Sequence, residues 1–152
     1  KTTLKQQHCF GQTHIQILGP KPPGEKWLQT YEEFGTNDNS LVLLLTHQNH
    51  RLLWPGDIEF WGERALIKQI NDLKVNILKA PHHGSDTSSS LAFVQKTKPE
   101  HVIFTVPQNS RYGFPKDEIK ERWRDHGAQL WSTGQQGLIH IKIDDEIKIE
   151  PL

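Results

Sequence analysis

Two adjacent histidines, His82 and His83, follow an apolar run that ends at Pro81 and are followed by Gly84. Imidazole is the commonest protein ligand for zinc and the commonest general acid or base near neutral pH. Neighbours in a turn point in different directions, so one ring can bind a metal while the other faces a substrate. The same doublet also reads as an ordinary surface loop. Upstream, the stretch WPGDIE (Trp54 to Glu59) places Asp57 after a glycine, where an apolar strand gives way to a helix. A carboxylate there is either a metal ligand or base at a strand end, or the cap of the helix that follows.

Two further stretches carry polar chemistry. Between Ser85 and Ser90 the chain holds four Ser, one Thr and one Asp. Hydroxyls and backbone amides at a helix start can hold a phosphate oxygen, or one of them can simply cap the helix. In NSRYGFP (Asn109 to Pro115), Arg111 and Tyr112 are suited to pairing with phosphate and stacking on a base; the loop also reads as a tight turn before a helix. His8, His14, His47, His50, His101, His126 and His140 are scattered and receive no role.

The elements that must position these residues follow from periodicity. Thr13 to Leu18 alternates as a strand, and Leu41 to Thr46 with Arg51 to Trp54 forms a hairpin whose first strand is apolar on both faces. One turn of helix is expected within 27–34. Ile58, Trp61, Ala65 and Leu66 recur at helical spacing over 58–70. A strand at Val75 to Leu78, a short helix at Leu91 to Thr97 and a strand at His101 to Val106 follow. Pro115 reads as the first residue of a helix that presents Ile119 and Trp123 and stops before Gly127. Ala128 to Trp131, Leu138 to Ile143 and Glu146 to Ile149 close the chain as strands. The order predicts an α/β (α+β layered) protein with a mixed sheet and flanking helices.

Bulk composition bounds the rest. The 152 residues fit one domain, with 1–12 and 144–152 as its edges. Lys plus Arg equals Asp plus Glu at 18 each, so no strong nonspecific attraction to nucleic acid or to an anionic membrane is expected. The longest apolar run, Leu41 to Leu45, is too short to span a bilayer. Cys9 stands alone and excludes an internal disulfide. The chain opens on Lys1-Thr2-Thr3 and holds no Met, which reads as a piece of a longer protein.

Taken in order, NDNSLVLLL, LLWPGDIE, LKAPHHGSDTSSS, NSRYGFP, HGAQLWST and GQQGLIHI resemble the C-terminal metallo-β-lactamase-like domain of the ComEC competence proteins. The likeness covers roughly Thr13 to Ile143. It implies half of an αββα sandwich and a metal-dependent phosphodiesterase of nuclease type, in which two divalent ions, zinc or manganese, activate a water and hold the phosphoryl oxygens. Asp57 falls on the aspartate that bridges the two ions. The histidines fall on the late metal-binding motif, with His83 as the ligand and His82 facing substrate. Ser85 and Asn109, Arg111 and Tyr112 fall beside the site. The family has Thr-Gly-Asp where this chain has Pro55-Gly56-Asp57, a change that leaves the carboxylate in place.

The family's main motif, His-x-His-x-Asp-His, is absent from this sequence. The resemblance therefore implies the later half of the domain. That half alone is expected to be inactive and to bind no metal, and to need the upstream half of the same domain as its partner. Single-stranded DNA is the implied substrate, reached through a parent channel in the bacterial inner membrane. The domain itself is expected to be soluble, on the extracytoplasmic side, and to touch the membrane only through other domains of the parent. Other readings are a noncatalytic module that gates the channel or guides DNA, and a hydrolase of another phosphoester.

Overall fold

The computed structural model describes residues 7–20 and 36–152. The helical turn expected within 27–34 lies outside the described residues. A mixed sheet runs in chain order: β1 (Gln7–Phe10), β2 (Thr13–Gly19), β3 (Val42–His47), β4 (His50–Trp54), β5 (Ile77–Lys79), β6 (His101–Phe104) and β7 (Gln129–Ser132). The pairs from β1 to β4 are antiparallel, and those from β4 to β7 are parallel. Three helices connect the parallel strands: α1 (Phe60–Gln69), α2 (Leu91–Thr97) and α3 (Asp117–Asp125). A short helix α4 (Thr133–Gln136) leads to a separate antiparallel pair, β8 (Ile139–Ile143) and β9 (Ile147–Pro151). The mixed α/β layering expected from the sequence is what the chain adopts.

Alternation along the central strands explains the layers. Leu53, Leu78 and Val102 face one way and join the core with Leu66, Phe93, Ile119 and Trp123 of the helices. Leu52, Ile77 and Ile103 face the other way, where Ile139, Ile141, Ile147 and Ile149 of the β8–β9 hairpin cover them. Phe93 and Trp123 are fully buried and meet edge to face at 6.4 Å. Burial of such a side chain stabilises by roughly 1.5–3 kcal/mol.

Some sequence expectations shift. Trp61, expected on the buried face of α1, is 44% exposed. The buried face instead runs through Gly62, Glu63, Ala65 and Leu66. A Cβ on Gly62 would lie 2.8 Å from both Asp38 and Ile58, so α1 approaches its neighbours through that glycine. Pro115 is not the first helical residue: Lys116 is the cap position and α3 begins at Asp117. Gly127 does follow the helix end, at φ +89 with its N–H on the Arg124 carbonyl. No helix of the described residues is long and apolar enough to cross a membrane.

Candidate functional site

The carboxyl ends of β4, β5 and β6 lie side by side because those strands pair in parallel. Loops leaving such ends gather in one crevice, the usual ligand position in sheets of this kind. Gly56, after β4, has φ +64, and a Cβ there would lie 2.6 Å from the Ser40 Cβ. The tight turn it permits brings Asp57 forward, with its backbone N–H on Ser40 Oγ at 3.1 Å. After β5, Pro81–Gly84 forms a short 3-10 turn in which His82 (φ 44) and His83 (φ 57) are both left-handed. That conformation is unfavourable for residues with a Cβ and is held by its surroundings. The His82 N–H donates to the Gly56 carbonyl at 3.3 Å, tying the two turns together.

Asp57 does not cap α1. The cap position is Glu59, and the buried Asp38 carboxylate takes the N–H groups of Glu59 and Gly62 at 2.7 and 2.8 Å. Asp57 is left to face the crevice. Its Oδ1 lies 3.5 Å from His83 Nε2 and 3.3 Å from Lys79 Nζ. Lys79 also donates to the Gly56 carbonyl at 3.0 Å. Burial holds its ammonium below the usual lysine range, and the Asp57 charge opposes that shift.

The His83 ring is fixed from behind. Its Nδ1 lies 2.6 Å from the Thr105 carbonyl, which only accepts, so Nδ1 carries the proton. Nε2 then faces Asp57. It either donates a second proton to that carboxylate or offers a lone pair beside it to a shared cation. Metal-ligating histidines are commonly anchored through their other ring nitrogen by a backbone carbonyl in this way, so the geometry is compatible with such a role. His82 is held separately: Nδ1 lies 3.0 Å from Glu59 Oε1, which also accepts from Thr87 Oγ1 at 2.8 Å. Its ring meets Phe114 edge to face at 5.6 Å.

Asp57, His82, His83, Asn109, Arg111 and Tyr112 line one cavity of about 700 Å³. Six residues separated by up to 55 positions in the chain are thereby brought together. Ser85 is not among them: it is 2% exposed, and its Oγ bonds Asp86 and Thr87. The other serines of the hydroxyl tract are also committed internally, and Thr87 is the hydroxyl left exposed. Ser88 bonds backbone carbonyls, and Ser90 caps α2. Glu59, Lys79 and Thr105 support the site and were not anticipated. Lys79 stands at the end of the LK pair that closes β5, and Glu59 ends the same WPGDIE stretch that supplies Asp57.

Among the described residues, no group of three or more His, Cys, Asp or Glu side chains is placed to hold a metal ion. Asp57 and His83 converge as two donors, one oxygen and one nitrogen. They fit one side of a zinc or manganese site, and the further ligands have to come from elsewhere.

A layered α/β domain with a histidine–carboxylate cluster at parallel strand ends is the class this geometry defines. Three curated relatives give it a family. The chain is 32% identical over 119 residues to "Competence protein ComA" of Neisseria gonorrhoeae, covering 76% of this chain and 17% of that protein. It is 28% identical over 133 residues to "ComE operon protein 3" of Bacillus subtilis, covering 88% and 16%. It is 24% identical over 138 residues to "Recombination protein 2" of Haemophilus influenzae, covering 90% and 16%. The chain belongs to the ComEC family of competence proteins. It spans about one sixth of the length of these relatives. No family model matches it.

Proposed function

We propose that this chain contributes the later half of a metallo-β-lactamase-like domain that hydrolyses phosphodiesters in single-stranded DNA during DNA uptake. The observation that carries this reading is the convergence of Asp57 Oδ1 and His83 Nε2 at 3.5 Å, with His83 anchored through Nδ1 to the Thr105 carbonyl. Asp57 and His83 would hold a divalent cation, and an upstream segment would supply its remaining ligands. Such a cation, when bound, supplies Lewis acidity at the phosphoryl oxygens and lowers the pKa of water. The chain's own residues do the rest. His82, with Nδ1–H given to Glu59, keeps Nε2 for proton transfer to or from the reacting group. Arg111 pairs with phosphate oxygens, and Lys79 holds Asp57 in place from the protein side. The parent protein is proposed to sit in the bacterial inner membrane, with this domain outside the cytoplasm.

The Lys79–Asp57 ion pair favours a second reading, a noncatalytic module that guides DNA, because Lys79 already balances the Asp57 charge. One assay separates the two. The complete domain, loaded with zinc or manganese, is given single-stranded DNA as wild type and as Asp57→Asn. Cleavage by the wild type and its loss in the variant support the hydrolase. DNA binding without cleavage in both supports the guide.

A further inference from the structure

The loop after β6, TVPQNSRYGFPK, carries two cations and no carboxylate over Thr105 to Lys116. It also carries an aromatic ladder that leads out of the crevice. Tyr112 stacks on Phe114 at 28° and 5.7 Å, and Phe114 meets His82 at 5.6 Å. Tyr112 is 59% exposed. The Arg111 guanidinium lies 4.6 Å over the Tyr112 ring, and Lys116 Nζ lies 5.4 Å over Phe114. Lys116 also donates to the Tyr112 carbonyl at 3.0 Å, which fixes the loop's backbone. Gly84 locks the ladder against the histidine turn, since its carbonyl accepts the Lys116 N–H at 3.0 Å.

We infer that Tyr112 is a base-stacking subsite for the nucleotide next to the reacting phosphate. This rests on the nucleic-acid reading above and adds a named position to it. An exposed ring that is rigidly backed and flanked by cations suits a nucleobase, whose face stacks on it while its phosphates meet the cations. The base takes the place of the Arg111 guanidinium over Tyr112, and that guanidinium turns to the adjoining phosphate. Tyr112 stands two ring-to-ring steps from His82, so the stacked base flanks the site of chemistry. Stacking is tolerant of sequence because every base offers a π face, so the subsite selects single strands over duplex without selecting a base.

The test is fluorescence anisotropy of the complete domain, kept from cleaving by EDTA, with two labelled single strands of equal length, oligo-dT and an abasic oligonucleotide with the same phosphates. Wild type should bind oligo-dT the more tightly. Tyr112→Ala should weaken oligo-dT binding about tenfold and leave abasic binding unchanged, while Tyr112→Phe keeps the preference. Arg111→Ala should weaken both strands alike and lower the slope of log K against log salt by about 0.7. A Tyr112→Ala chain that still prefers oligo-dT, or that loses both strands equally, overturns the subsite. Equal wild-type binding to both strands overturns the subsite and leaves the nucleic-acid reading standing. Wild-type binding to neither overturns both.

Discussion

The Glu63 carboxylate of α1 closes the N-terminus of α2, accepting the backbone N–H groups of Ser89 and Ser90. A carboxyl group from within the protein therefore takes the position that the hydroxyl tract offers a phosphate. The junction is shared with α3, because Arg122 donates to the Ser89 carbonyl at 2.7 Å and Trp123 Nε1 to Ser89 Oγ at 3.2 Å. All three helices behind the crevice meet at one serine.

Glu63 is fully buried, and burial pushes its carboxyl up to about 7, against the pull of the two backbone donors and with a smaller push from Asp38. A folded-state pKa above the unfolded value means that folding favours the protonated form. The resulting stability is fully present below about 4.5 and is lost as pH rises through about 7. The effect is on the order of 3 kcal/mol over that window. The Glu63→Gln variant supplies the baseline. Urea midpoints measured from pH 5 to pH 8 should fall more steeply for wild type than for Glu63→Gln. Parallel curves would show that Glu63 keeps one protonation state throughout.

Asp57→Asn should lower stability by about 1 kcal/mol as well as affecting function, because the half-buried Lys79 is left without its countercharge. Adding Lys79→Met should recover most of that loss. Denaturant midpoints of the single and double variants measure it. An additive double variant would mean that the ion pair contributes nothing.

Some of this was open to a reader of the sequence, and the division has a physical basis. Asp57 and the histidine doublet stand out because glycine and proline mark the turns that present them. Ile139, Ile141, Ile147 and Ile149 announce two strands by alternation, but alternation does not tell which face of which sheet they cover. Glu59, Lys79 and Thr105 matter only because β4, β5 and β6 are neighbours in parallel, a nonlocal fact. Asp38 caps a helix 21 residues away from itself in the chain, where no capping rule based on adjacent residues applies. Ser85 sits in the most polar stretch of the sequence, yet packing turns it inward.

Gly84→Ala should destabilise the chain by about 2–4 kcal/mol. Gly84 has φ +85, and an added Cβ would lie 2.6 Å from the Pro115 Cβ and 2.8 Å from the Phe104 ring. Backbone strain and a clash with two packed rings act together, so the histidine turn and the Tyr112 loop have to part. Thermal unfolding reads the effect. A shift as small as that of an exposed substitution would mean that the two loops separate freely.

His82 and His83 differ in what holds them, and their variants should differ accordingly. His83 is anchored to the Thr105 carbonyl and aims Nε2 at Asp57, the posture of a ligand. On the proposed hydrolase reading, His83→Ala in the complete domain should therefore lower metal content, because a coordination position would be lost. His82 is tied to Glu59 through Nδ1 and packs against Phe114, the posture of an acid or base beside a substrate. His82→Ala should keep the metal and lower the rate by about 100- to 10,000-fold. Glu59→Gln should follow His82→Ala in direction with a smaller loss, since an amide oxygen orients the ring without stabilising its positive charge. Metal analysis and single-turnover rates on the three variants distinguish these roles. Metal lost with His82→Ala and retained with His83→Ala reverses the assignment. Metal and rate retained in both make the doublet an ordinary turn, and the hydrolase reading falls with it.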